Sequence, residues 1–166
     1  MNVDFSASAT SPVATNVETS VYMIKPEAMS HRHEIRSMIA KHLDLGARSE
    51  LVLPVVALDA LYPDLSTELR AMTHEMFRAH VEIGLVHGPN AIAMLLDIAG
   101  HHTAPHLCEP DTVRHRFGRW TPSLCGGATY YHNGIHRPKD ATEARQHVAL
   151  LFPSRVEDVE IYRGRM

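Results

Sequence analysis

The chain has 166 residues, the size of one domain, and 45% of them are apolar, enough to build a core. Charged residues make up 21%, close to the usual share, which excludes wholesale disorder. The formal net charge of -3 gives no support to nucleic-acid binding through bulk electrostatics.

No segment is typical of export or of membrane insertion. The first 18 residues lack the basic and apolar regions of a secretory signal, and no apolar run is long enough to span a bilayer. Cys108 and Cys125 form neither a C-x-x-C pair nor a disulfide framework, which favours two free thiols in a reducing compartment. We therefore expect a cytoplasmic protein with no membrane partner.

The 13 histidines are unusually many and raise the alternative of a Zn²⁺ site. The spacing of the candidates fits no standard ligand set, so we predict no protein-bound metal. The candidates are His31, His33, His101, His102, His106 and Cys108.

In chain order, a tail rich in Ser, Ala, Thr and Asn precedes an apolar strand over Ser20–Lys25. Ser30–Leu43 has apolar residues at helical spacing, and Gly46 is predicted to end that helix as a C-cap. The Val/Leu-rich run Leu51–Leu58 is typical of a buried strand.

The middle of the chain begins with Asp59–Leu65, a turn or short helix. Ser66–Ala79 predicts a second helix with Ser66 as its N-cap. Gly88-Pro89 indicates a turn, and the apolar run Ala91–Ile98 is interpreted as a third buried strand.

Residues 100–127 are irregular, apart from a short helix around Thr112–Phe117. Thr129–Ile135 is predicted to be the fourth strand, and Asp140 to cap a final helix that runs to about Phe152. This order favours an α+β fold, or a βαββαβ sheet packed on helices.

We place one domain over residues 19–153. A flexible N-terminal tail over residues 1–18 and a C-terminal tail over residues 154–166 are expected to flank it.

Two segments far apart in the chain indicate a phosphate-handling site. Tyr22-Met23-Ile24-Lys25-Pro26-Glu27 places Lys25 at the end of the first strand, and Asn133-Gly134-Ile135-His136 places His136 at the end of the last one. A histidine and a lysine brought together by strand ends can pass a phosphoryl group, because the imidazole attacks and the ammonium holds charge.

These segments, with others that follow in the same order, resemble the nucleoside diphosphate kinases. The hallmarks of that family are an Ile-Lys-Pro-Asp strand end and an Asn-x-x-His-Gly-Ser-Asp segment before the last helix. The resemblance covers roughly Val21 to Phe152. The matching segments are Ile24–Glu27, Leu61–Leu65, Gly88–Met94, Thr112–Gly118, Asn133–Lys139 and Ala144–Phe152.

The resemblance implies a ferredoxin-like βαββαβ antiparallel sheet with helices on its faces. It also implies a phosphotransferase that moves the γ-phosphoryl group of a nucleoside triphosphate to a diphosphate acceptor through a phosphohistidine on His136. Mg²⁺ would accompany the nucleotide and bridge its phosphates. The family assembles as homo-oligomers built on a dimer, and we expect the same here.

The remaining roles follow the family's motifs position by position. Lys25 and Arg114 would hold the phosphates, and Asn133 would bond the ribose or a phosphate oxygen. Tyr62 would orient the histidine and the lysine, and Phe77 would stack on the nucleobase.

The chain departs from the family around the histidine. Arg137-Pro138-Lys139 replaces Gly-Ser-Asp, and His147 stands where the family has a glutamate, so that Asp140 or Glu143 would have to compensate. The loop before Arg114 is short, and only His106 and Thr112 are candidates for its missing phosphate contacts.

Arg119–Tyr131 resembles an insertion at the mouth of the site, either a new substrate wall or an oligomer contact. These departures keep two alternatives open. One is a nucleotide-binding pseudokinase without phosphotransfer, and the other is an enzyme of the same fold acting on another phosphorylated substrate.

Overall fold

The computed structural model describes residues 16–155. Most of the two predicted tails, residues 1–15 and 156–166, lies outside the described residues. No helix within residues 16–155 is long and apolar enough to cross a bilayer.

The strands are β1 (Val17–Ile24), β2 (Asp44–Leu51), β3 (Val81–Pro89), β4 (Ser123–Cys125), β5 (Ala128–Tyr130) and β6 (Ile135–His136). The helices are α1 (Arg32–Ala40), α2 (Val55–Leu61), α3 (Thr67–Met76), α4 (Ala91–Ala99), α5 (Val113–Phe117) and α6 (Ala141–Leu151), with 3₁₀ turns at Pro26–His31, Pro105–Leu107 and Pro153–Arg155.

The main sheet has four strands in the order β2-β3-β1-β6, and all its pairings are antiparallel. With the helices between the strands, this is the βαββαβ order of a ferredoxin-like sheet, so the predicted fold class is confirmed. β4 and β5 form a separate hairpin.

Side chains of β1 alternate between the two faces of the sheet, and each face has its own core. Tyr22 and Ile24 join one cluster, which α1 and α4 cover. Val21 and Met23 join the other, which α2 and α6 cover. Helices on both faces therefore enclose the strand that ends at Lys25.

The predicted strand over Leu51–Leu58 is wrong. β2 ends at Leu51, Pro54 is the N-cap of α2, and its extended backbone (φ -67°, ψ 149°) suits that position. The valines Val55 and Val56 face solvent, whereas Leu58 is buried. Burial on one side only is typical of an amphipathic helix. The Val/Leu-rich composition does not show this pattern, because the exposed positions are apolar as well.

The predicted strand over Ala91–Ile98 is also wrong, because this run forms α4. Its buried residues are Ala91, Leu95, Ile98 and Ala99, which share one helical face. Asp97 is the one polar residue in this short apolar run, and a single position does not reveal the helical period. The predicted turn at Gly88-Pro89 is instead the end of β3, and Gly46 lies within β2 rather than capping a helix.

β3 was missed because polar residues and a glycine interrupt its apolar pattern. Glu82 is fully buried, where its carboxylate accepts a 2.9 Å hydrogen bond from Tyr22 Oη and pairs with Arg36. Gly84 leaves space for the Tyr22 ring, since a Cβ there would lie 2.3 Å from Tyr22 Cζ. Glu82 and Gly84 thus accommodate side chains of β1 and α1, and the sequence of β3 by itself does not reveal these contacts.

The two helix N-caps predicted from the sequence are present. The Ser66 hydroxyl accepts from Leu69 N at 3.3 Å, and the Asp140 carboxylate accepts from Glu143 N at 2.8 Å. The short helix after Thr112 is present as α5. The predicted first helix begins with a 3₁₀ turn and ends at Ala40, and the predicted fourth strand divides into β5 and β6.

We expect Arg36→Met to lower the free energy of unfolding by about 3 kcal/mol, because it leaves the buried Glu82 carboxylate without its cation. Urea denaturation measures the loss. Adding Glu82→Gln to this variant removes the uncompensated charge and should recover part of the stability. A loss below about 1 kcal/mol, typical of an exposed pair, would contradict a structural role for this network.

Candidate active site

The ends of β1 and β6 bring Lys25 and His136 to one edge of the sheet. Met23 pairs with His136, and Lys25 N donates to Gly134 O at 2.9 Å. Gly134 adopts a left-handed conformation (φ 77°), which favours glycine. Its N–H donates to Glu27 Oε1 at 3.1 Å, so the turn before His136 is bonded from both sides.

A cavity of about 270 Å³ opens beside this edge. All the polar site residues that the sequence predicts line this cavity. Their individual roles stay predictions. The residues that line it are Lys25, Tyr62, Leu65, Leu69, Thr73, Thr103, Arg114, Thr129, Tyr130, Tyr131, Asn133, Ile135 and His136.

His136 is held through one nitrogen and free at the other. Its Nε2 lies 3.2 Å from His147 Nδ1, and the Tyr62 ring meets it edge-on at 5.0 Å between centroids. Nδ1 makes no hydrogen bond to the described residues. Burial holds the pKa of His136 well below its usual value, and the nearby His147, Lys25, Arg114 and Arg137 lower it further. The imidazole is therefore neutral at pH 7, and Nδ1 is the nitrogen available as a nucleophile.

Two cationic side chains share the cavity with this imidazole. Burial lowers the pKa of Lys25 to about 8, an effect that Glu27 opposes and Arg114 reinforces. Burial also lowers the pKa of Arg114 to about 10, with a further contribution from Arg137. Buried like charges raise the energy of an empty site, which favours an anionic ligand.

Among the described residues, backbone carbonyls orient Arg114 and Arg137, and no acid forms a salt bridge with either. Arg114 donates to His102 O at 2.8 Å and to Ile135 O at 3.4 Å, and Arg137 donates to Gly100 O at 3.1 Å. Because neither charge is neutralised by these bonds, both guanidinium groups retain their attraction for an anion.

Several polar atoms of the cavity wall have no hydrogen-bond partner among the described residues. They are the hydroxyls of Tyr62 and Tyr130, Arg114 Nε and Asn133 Oδ1, all buried. Buried polar groups are normally bonded, so such a group of donors with one acceptor indicates a polar ligand.

Sequence reasoning missed part of the wall. Thr103 lines the cavity from the short loop, and its carbonyl accepts from Asn133 Nδ2 at 3.3 Å. The loop candidates His106 and Thr112 do not line it, and Thr112 caps α5 instead. Leu69 and Thr73 line it from α3, which the sequence predicted only as a helix.

Phe77, the predicted stacking residue, lies in the core. It is 1% exposed, does not line the cavity, and meets the Tyr62 ring at 6.2 Å between centroids. A base could reach this buried ring only after the residues around it rearranged, so stacking on Phe77 stays a prediction. Leu69 is the apolar side chain of α3 that already lies at the wall.

The predicted insertion forms the β4–β5 hairpin and closes one side of the cavity. Its tip packs on α3, where a Cβ at Gly126 would lie 2.8 Å from Glu68 Cγ. Ser123 Oγ lies 2.7 Å from His132 Nε2, which connects the hairpin to the irregular segment before β6. Tyr130 and Tyr131 then form part of the wall.

Within residues 16–155, no group of three or more His, Cys, Asp or Glu side chains could hold a metal ion. Cys108 and Cys125 are free thiols.

The sequence profile of the family described as Nucleoside diphosphate kinase matches residues 18–156. A comparison with curated protein sequences finds no significant match.

Solved structures with the same fold include the apo nucleoside diphosphate kinase of Encephalitozoon cuniculi. It is 23% identical with a TM-score of 0.68, over 84% of this chain and 91% of that one. The Aquifex aeolicus enzyme is 18% identical with a TM-score of 0.67, over 82% and 95%. The Borrelia burgdorferi enzyme, a transition-state mimic with bound vanadate and ADP, is 18% identical with a TM-score of 0.69, over 82% and 88%.

We expect sulfate to bind the cavity and to bind less tightly as pH rises through about 8, the pKa of Lys25. Above that pH the free protein must first protonate Lys25, so affinity should fall by roughly tenfold per pH unit. Isothermal titration calorimetry over this range measures it. Lys25→Gln should remove the dependence, and Lys41→Gln, which changes an exposed lysine at the C-cap of α1, should keep it. A flat profile in the unaltered protein would contradict the assignment.

Proposed function

The chain belongs to the nucleoside diphosphate kinase family, and we propose that it transfers the γ-phosphoryl group of a nucleoside triphosphate to a diphosphate acceptor through a phosphohistidine on His136. One observation carries this proposal. A neutral imidazole with a free Nδ1 lies in the same cavity as Lys25 and Arg114, whose charges suit a phosphate chain.

In the first half-reaction, His136 Nδ1 attacks the γ-phosphorus, the N–P bond forms, and the P–O bond to the nucleoside diphosphate breaks. The second half-reaction reverses these steps onto an acceptor diphosphate. Negative charge develops on the transferred and leaving oxygens, and Lys25 and Arg114 are fixed before the reaction to stabilise it.

Tyr62 and Asn133 have supporting roles in this proposal. The Tyr62 ring contacts His136 edge-on, and Lys25 Nζ lies 5.7 Å from the centre of the same ring, so Tyr62 orients both groups. Asn133 Oδ1 is free to accept a hydrogen bond from a ribose hydroxyl.

Mg²⁺ enters this proposal as part of the nucleotide substrate. The described residues that line the cavity include no carboxylate, the ligand through which proteins usually hold Mg²⁺. The substrate phosphates would hold the ion and bring it to the site, where it would add to the charge stabilisation from Lys25 and Arg114.

His136→Ala should abolish acid-labile label from γ-³²P-ATP and lower diphosphate–triphosphate exchange by roughly a thousandfold or more, because it removes the nucleophile. Label on the protein and exchange rates are the measurements. His101→Ala, which changes an exposed histidine, is the matched control and should retain both. Undiminished exchange in His136→Ala would sink the phosphohistidine mechanism.

A second candidate is an enzyme of the same fold that acts on a more compact phosphorylated substrate. The observation that favours it is the size of the cavity. Its volume of about 270 Å³ lies below the roughly 300–1,000 Å³ of typical small-molecule pockets, and Tyr130 and Tyr131 of the hairpin close its wall.

Replacing Tyr130 tests whether the hairpin limits nucleotide entry. If it does, Tyr130→Ala should lower the Kd for ADP by about tenfold, because the smaller side chain widens the cavity. Fluorescence titration measures the Kd, and Tyr130→Phe, which keeps the ring, is the control. An unchanged or higher Kd in Tyr130→Ala would mean that Tyr130 does not obstruct the nucleotide.

A pseudokinase that binds nucleotides without phosphotransfer is favoured by the altered residues Pro138 and His147 and by the short loop before Arg114. Measurable exchange by the unaltered protein would exclude it.

We also propose that the chain assembles as a homo-oligomer built on a dimer. β2 lies at the edge of the sheet, where its outer backbone groups can pair with another strand. Val52, Val55 and Val56, beside this edge in the sequence, are exposed by 46%, 52% and 74%. Burial of these valines would add an apolar contribution to the contact.

A further inference from the structure

We propose that His147 is a proton relay between His136 and Glu143, and that it holds His136 in the tautomer whose Nδ1 is free to accept a phosphoryl group. The inference rests on the proposed function and names a residue that the family's motifs do not supply.

The geometry of α6 places the two relay groups in line with the nucleophile. Glu143 and His147 are four residues apart and therefore on one helical face. His147 is 3% exposed, and its ring centroid lies 4.9 Å from that of His136. His147 Nδ1 faces His136 Nε2 at 3.2 Å, and His147 Nε2 faces Glu143 Oε1 at 3.8 Å, an ion-pair distance longer than a hydrogen bond.

Only one proton lies between the two imidazoles, and its position fixes both tautomers. If His136 Nε2 donates, its Nδ1 keeps a lone pair and His147 presents Nε2–H to the Glu143 carboxylate. If His147 Nδ1 donates instead, His136 Nδ1 carries a proton, and the bare Nε2 of His147 faces a carboxylate. The second arrangement opposes two acceptors, so Glu143 selects the first.

The same chain can accept the proton that phosphorylation makes acidic. When His136 Nδ1 bonds to phosphorus and the P–O bond breaks, the ring is left as a cation that carries Nε2–H. That proton passes to His147 Nδ1, and the electron pair of the N–H bond stays on His136 Nε2. His147 becomes an imidazolium facing Glu143, and dephosphorylation returns the proton.

Charges around the pair favour this direction of transfer. Lys25, Arg114 and Arg137 act on His136, lowering its pKa and opposing a positive charge there, and Tyr62 adds only a ring edge. Burial lowers the pKa of His147, whereas Glu143 raises it. The charges that the protein places around the pair therefore favour the proton on His147.

The resting tautomer of His136 is the first test, read by ¹⁵N NMR without nucleotide. We expect Nε2–H in the unaltered protein. In Glu143→Gln, the amide N–H₂ can donate to His147 Nε2 and should shift His136 towards Nδ1–H, while the amide oxygen can keep the 2.7 Å contact with Lys139 N. A His136 Nδ1–H tautomer in the unaltered protein would overturn the inference.

The second test is the rate of His136 phosphorylation by ATP in rapid-quench experiments. His147→Asn keeps an acceptor near the position of Nδ1 but cannot take up a proton, so we expect roughly a hundredfold lower rate with KM little changed. His147→Leu removes both functions and should be slower still. Gln146→Asn, an exposed change on the same helix, controls for effects on α6, and circular dichroism checks that each variant folds.

The pH profile separates a relay from a merely orienting contact. Acid should slow the unaltered protein as His147 becomes doubly protonated, because its Nδ1–H then opposes His136 Nε2–H. His147→Asn should lack this acid limb. If His147→Asn reacts within twofold of the unaltered protein while His147→Leu is slow, His147 only orients His136 and the relay is refuted.

The outcomes distinguish the inference from the function beneath it. If His136 is phosphorylated but the variant rates or the resting tautomer differ from those expected, only the relay is refuted. If the unaltered protein forms no phosphohistidine, the proposed function and the relay fall together.

Discussion

The site depends on a very short backbone pairing. β6 has only two residues, and its register against β1 determines where Lys25 and His136 meet. So short a strand cannot hold itself in place, and the bonds of Gly134 to the Lys25 N–H and the Glu27 carboxylate supplement it. His136, the proposed nucleophile, is therefore positioned through its backbone, which leaves its side chain available for the proposed chemistry.

Charge imbalance is the second constraint. Lys25, Arg114 and His136 all have lowered pKa values, and burial is the largest cause for each. The cost arises because, among the described residues, backbone carbonyls orient the guanidinium groups of Arg114 and Arg137 and no acid forms a salt bridge with them. An anion entering the cavity would relieve the repulsion, so the same arrangement that weakens the empty site strengthens binding.

Sequence patterns located the site better than the elements that build it. Lys25 and His136 belong to short sequence motifs. Such motifs are recognised from neighbouring residues, so these two candidates could be found without a correct strand assignment. The runs that form α2 and α4 are too short and too uniformly apolar to show a helical period. Thr103 reaches the cavity from a loop and Tyr130 from the β4–β5 hairpin, and the paths of both segments depend on contacts distant in sequence. Glu82 is buried with Tyr22 and Arg36 as its partners, which the sequence pattern of β3 does not show.

His147 changes the balance between binding and chemistry at this site. A carboxylate in its place would neutralise part of the charge of Lys25 and Arg114 while accepting the hydrogen bond of His136. A neutral imidazole accepts the same bond without that charge, so the cavity attracts an anionic substrate more strongly. It would give a phosphorylated His136 less direct support, because no carboxylate of the described residues contacts the ring. Glu143, one helical turn earlier, can supply that anion only through His147, which makes the strength of this support depend on the protonation of a histidine.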